Sequence, residues 1–153
     1  MKAITMAPPQ KMYSDAVVDG LFGGLLAGAG MLAFLIAADL SAGNPAVQTL
    51  ARFGIPGQTV SPLASLLLHL GVSSVYGIVY GLLINVLPRR YRAALPGWLW
   101  GVLFGLLIWV LADLVLLPGS DSPLMEIPPV VFALSHVVYG LILGWFTAVT
   151  RHI

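Results

Sequence analysis

Cysteine does not occur in this sequence. Disulfides, thiolate metal centres, haem attached through a CxxCH run and lipids anchored on cysteine are therefore excluded. Charge is nearly as scarce: 8% of the 153 residues are Asp, Glu, Lys or Arg, against roughly a quarter in a water-soluble domain. The net charge is +1, and no basic stripe of the kind that grips nucleic acid is present. Catalytic signatures are missing too, with no GxSxG, no HExxH and no glycine-rich phosphate loop. What remains is apolar. Hydrophobic residues make up 59% of the chain, more than a core of this size can hide from water, so hydrocarbon is the expected solvent.

Four apolar stretches are long enough to cross a hydrocarbon core, which takes about 20 residues at 1.5 Å rise. They are residues 16–40, 63–87, 95–117 and 129–149, all within a single membrane domain spanning 1–153. Prolines punctuate them: Pro62 and Pro129 open two, Pro88 and Pro118 follow two others. Lys2 and Lys11 precede the first stretch as in a signal peptide. The uncharged run from 20 to 38 exceeds a signal core of roughly 7–15 residues, so an uncleaved first helix is expected. Lys2, Lys11, Arg89, Arg90, Arg92 and Arg151, six of the seven basic residues, fall on one side of this arrangement. Arg52, Asp121 and Glu126 fall on the other. The bias predicts cytoplasmic termini, with Trp98, Trp100 and Trp145 near the cytoplasmic interface. The fold class is an all-α four-helix membrane bundle.

Small residues recur at four-residue spacing in each span. The ridges are Gly20, Gly24 and Gly28; Ser73, Gly77 and Gly81; Gly97, Gly101 and Gly105; and Gly140, Gly144 and Ala148. In lipid such ridges let helix backbones approach closely, either inside the bundle or against another protein. The chain also reads as a duplication. Residues 78–84 resemble 137–143, and Ala38-Asp39-Leu40 resembles Ala112-Asp113-Leu114. That pattern predicts two helical hairpins in parallel repeat, related by an axis along the membrane normal.

Four ionisable residues lie within spans: Asp39, His69, Asp113 and His136. Helix rise places them at similar depth on the outer side, one per helix, so they are expected to converge and share hydrogen bonds. Four roles fit that chemistry. Carboxylate and imidazole could pair across helices and fix their register. The two histidines could ligate one haem b iron. Two His and two Asp could hold a divalent metal. Aspartate and histidine could relay protons or pass a small solute.

Taken together, His69-x-x-x-Ser73, Ala112-Asp113 followed by Pro118, and the run from Ser135 to Gly140 resemble small bacterial inner-membrane proteins of the YagU-like kind. The resemblance covers the three later spans and implies four helices in a bacterial inner membrane, with no activity attached. The short loops leave no soluble module to hold a substrate. The expected function is a non-catalytic structural or accessory subunit, whose partners are the bilayer and other membrane subunits or a second copy. The alternative is a carrier of electrons, protons or small solutes through the Asp/His cluster.

Overall fold

The structure is a computed structural model that describes residues 13–55, 57–58 and 60–150. Lys2, Lys11 and Arg151, which entered the charge argument, lie outside the described residues. The helices are α1 (Tyr13–Ser41), α2 (Ala46–Ala51), α3 (Pro62–Val86), α4 (Arg89–Arg92), α5 (Gly97–Leu111) and α6 (Pro129–Thr150). A π-helical turn, Ala112–Leu116, prolongs α5, and a 3-10 turn, Pro123–Glu126, precedes α6. No strand occurs among the described residues. Four helices, α1, α3, α5 with its π turn, and α6, are long and apolar enough to cross a membrane, as fits a multi-pass membrane protein.

Local sequence sets the helix ends. Ser61 caps α3, its hydroxyl accepting from the Ala64 N–H at 3.2 Å, and Pro62 occupies the first helical turn, where no donor is lost. Gly43 ends α1 with φ +84°, a conformation that costs glycine little, and the Asn44 N–H then folds back to the Asp39 carbonyl.

The long helices stand in the order α3–α1–α6–α5, with contact along α1/α3, α1/α6 and α5/α6. The two hairpin seams are built on glycine. A Cβ added at Gly24 would lie 2.5 Å from the Ser73 carbonyl oxygen, one at Gly28 would lie 2.6 Å from Ser73 Cβ, and one at Gly20 would overlap the Gly77 carbonyl. Across the other seam, Cβ atoms at Gly101 and Gly105 would overlap the carbonyls of Gly140 and His136. With no hydrophobic force between helices in lipid, such close backbone approach supplies the packing.

The two seams also share one register. A Cβ at Gly77 would meet the Gly20 oxygen and the Gly24 Cα and nitrogen, and one at Gly144 would meet the Gly97 oxygen and the Gly101 Cα and nitrogen. His69 stands eight residues before Gly77, and His136 eight before Gly144. Seam geometry thus sets His69 against His136. It does not set Tyr80-Gly81 against Tyr139-Gly140, as the match of residues 78–84 to 137–143 supposed. Nor does it set Asp39 against Asp113, because α1 and α5 correspond through Gly20 with Gly97 and Gly24 with Gly101.

Closing the ring would require α3 against α5, and these two lack an extended contact. They meet through Tyr80, whose ring lies 5.1 Å from that of Phe104 and whose hydroxyl donates to the Gly97 carbonyl at 3.3 Å. On either side of this bridge the α3/α5 gap stays open.

Candidate ligand-binding site

Toward the end of the bundle that carries Asp39 and both long connections, the gap widens into a cavity of about 270 Å³. His69 and Ser73 of α3, Met31 of α1, His136 and Tyr139 of α6 and Ile108 of α5 line it. Arg52, Phe53, Gly54 and Leu124, from the two connections, roof it. The mouth runs between α3 and α5 and is rimmed by Leu68, Val72 and Leu116, which are apolar and exposed.

Both imidazoles are buried, and each is oriented by a backbone carbonyl. His69 Nε2 donates to the Gly28 carbonyl at 3.0 Å, an oxygen on α1. His136 Nδ1 donates to the Phe132 carbonyl one turn back at 2.8 Å. A carbonyl oxygen only accepts, so these nitrogens carry the ring hydrogens. The other nitrogens, His69 Nδ1 and His136 Nε2, have no hydrogen-bond partner among the described residues and are not sealed inside the protein. A neutral imidazole that donates through one nitrogen accepts through the other. Phe53 packs on His69 with ring centroids 4.3 Å apart, and Phe132 meets His136 edge-on at 4.6 Å. Tyr139 reaches across to α3, its hydroxyl donating to the Ser73 carbonyl at 2.7 Å, and so holds the back wall in place.

Asp39 does not join the histidines. Its Oδ2 accepts from Thr49 Oγ1 at 2.6 Å and from Arg52 Nη1 at 2.5 Å. Arg52 is 7% exposed, and its Nε lies 3.6 Å from Glu126 Oε2. The hydrogen bond it donates to Asp39, aided by Glu126, holds the Arg52 guanidinium above its ordinary pKa against the pull of burial. Asp39, Arg52 and Glu126 therefore clasp the end of α1, the end of α2 and the 3-10 turn into one cap over the cavity. The sequence reading assigned Arg52 only to a side of the membrane. Its being the lone cation on that side was the available signal, since a spanning carboxylate needs a partner.

Asp113 stands apart as well. It is half-buried in the π turn and makes no hydrogen bond or ion pair among the described residues. The expected convergence of four residues is thus corrected to two histidines facing one cavity. A row of i+4 positions drifts by about 40° per step, so two steps carry Asp113 off the seam that Gly105 faces. The π turn, closed by the Leu117 N–H on the Ala112 carbonyl at 2.9 Å, adds a residue to the turn there. Among the described residues no three His, Asp or Glu side chains gather as a metal-binding group. Two-histidine ligation of haem also fits poorly, because the Nε2 of His69 is committed to Gly28.

A family of unknown function, DUF6789, matches residues 14–153. The chain belongs to that family. No curated protein and no solved structure matches it. The match runs from the start of α1 to the end of the chain, so both hairpins, the cap and the histidine cavity all lie within the family's extent.

Proposed function

We propose that this protein is a non-catalytic binding protein of a bacterial inner membrane, which takes a small lipid-soluble molecule from the outer leaflet into the cavity between α3 and α5. The single observation behind this reading is the pair of unpartnered imidazole nitrogens, His69 Nδ1 and His136 Nε2, in a largely apolar cavity whose mouth is apolar. Ligand sites are typically apolar with a few convergent polar groups. Of the roles open to the Asp/His cluster, this is the passage of a small solute. The orientation we propose, with both termini in the cytoplasm and the cavity on the outer side, is supported by Arg89, Arg90 and Arg92 lying in the α3–α5 turn. We read the two hairpins, with their shared glycine register, as a parallel repeat that delivers one histidine from each copy. The likeness to YagU-like proteins rests on the short motifs around the same histidines together with Ala112-Asp113 followed by Pro118.

Native mass spectrometry of the protein in lipid nanodiscs tests the reading. The wild type should retain a small non-phospholipid molecule, or take up an added hydrophobic probe, and Val72→Trp at the mouth should prevent it. A wild type that takes up neither would overturn the proposal.

A second reading, an accessory subunit, draws on α5. Only 17% of its span is buried, against 39–44% for the other three. Leu103, Leu107 and Val110 are exposed on it, leaving a face wide enough for a partner helix. Purification in mild detergent tests this: a companion protein lost on Leu107→Trp supports it, and a protein that purifies alone as a monomer removes it.

A further inference from the structure

The ligand class can be narrowed from the hydrogen-bond inventory of the cavity, an argument that rests on the binding reading above. We propose that the cavity recognises a lipid-soluble dihydroxyarene, a quinol with a hydrocarbon tail, by accepting its two O–H groups on His69 Nδ1 and His136 Nε2. Both ring N–H groups are already spent on the carbonyls of Gly28 and Phe132. In apolar surroundings, with no carboxylate lining the cavity, an imidazole without a counter-charge stays neutral. The two imidazoles therefore present two acceptors, which an occupant with two donors satisfies, and the Ser73 and Tyr76 hydroxyls in the same lining can turn to donate or accept beside them.

Size, shape and charge agree with that chemistry. An apolar cavity of about 150 Å³ takes a benzene ring, and this one, at about 270 Å³, takes a ring with its substituents. Phe53, Phe132 and Tyr76 contribute aromatic surface to the lining, suited to offset or edge packing on an arene. The rim of Leu68, Val72 and Leu116 lets an alkyl or isoprenoid tail run out between α3 and α5 into lipid. Arg52 does not call for an anion, because Asp39 and Glu126 already offset its charge.

Selectivity between redox forms follows. The matching quinone has two carbonyl oxygens and no O–H, so it would set acceptor against acceptor at both histidines. Leaving buried polar groups unpaired is what makes such sites discriminate. The preference for quinol over quinone is expected to be at least about tenfold.

The test measures, under anaerobic conditions in nanodiscs, the binding of four decyl-tailed compounds to the full chain: a p-benzoquinol, its quinone, its dimethyl ether and decylbenzene. The quinol should bind at least about tenfold more tightly than the other three. His69→Phe and His136→Phe should each erase that preference while leaving weak binding of the tail. The wild-type series decides the matter even if a histidine variant fails to fold. Quinone or dimethyl ether binding as tightly as quinol would overturn the quinol assignment and leave the cavity as a lipid-ligand site. Failure of all four to bind, decylbenzene included, would overturn the assignment together with the binding reading beneath it.

Discussion

At the scale of single residues, two aspartates that look alike in sequence have opposite surroundings. Asp39 holds Arg52, which is nearly buried, whereas Asp113 holds nothing among the described residues. Removing one partner of a buried pair leaves an uncompensated charge, which costs about 3–5 kcal/mol. Asp39→Asn should therefore lower stability by roughly 3 kcal/mol, somewhat less than the full range because the pair is not wholly enclosed. Asp113→Asn should stay within about 0.5 kcal/mol of the parent. Unfolding curves in detergent distinguish them. Equal losses would show that the cap is not what the Asp39–Arg52 pair holds. Replacing both partners, Asp39→Leu with Arg52→Leu, should recover most of the loss, since an apolar pair carries no desolvation cost.

At the scale of elements, the bundle consists of two glycine seams joined along α1/α6. Substitution at the seams should be sharply position-dependent. Gly24→Ala and Gly101→Ala place a methyl against backbone atoms that cannot swing aside, and overpacking of this kind costs about 1–3 kcal/mol. Gly71→Ala on α3 meets nothing within 4 Å and should be neutral or stabilising by up to about 1 kcal/mol, because alanine loses less backbone entropy in a helix. Thermal melting of the three variants checks this. A Gly101→Ala protein that melts like Gly71→Ala would mean that the α5/α6 backbones do not approach as closely as they do here. The π turn is the other feature at this scale. By adding one residue to the end of α5 it brings Ala112, Leu116 and Leu117 onto the cavity wall.

At the scale of the whole molecule, the open α3/α5 side is the consequence of a four-membered ring with three packed edges. If α3 lay against α5 as closely as α1 lies against α6, the space that His69 and His136 share would close. The proposed orientation puts that opening in the outer leaflet. Cysteine introduced at Gln58 or Asp121, both exposed at the cap, should then react with a membrane-impermeant reagent on intact cells. Cysteine at Arg90 should react only after the membrane is broken. Labelling of position 90 from outside would invert the topology and move the cavity to the inner leaflet.

Four long apolar helices were legible from composition and hydropathy, because lipid imposes one strong requirement: every backbone polar group in hydrocarbon must be bonded within its own segment. The histidines were legible as costly residues in a span, since burial of a polar group is a property of position along the chain. The grouping was not legible. Depth along a membrane normal can be counted in residues, but azimuth cannot. A 40° drift per ridge step and one π turn decide whether Asp113 faces a neighbour or lipid. Arg52 could reach Asp39 only because α2 folds back over the end of α1, which a loop sequence does not specify by periodicity. Sequence alone therefore determined the apolar character of the chain, the number of helices long enough to span a membrane and the candidate residues. Tertiary structure decided which of them meet, because rotation about each helix axis is set by the glycine contacts between helices and not within any one of them.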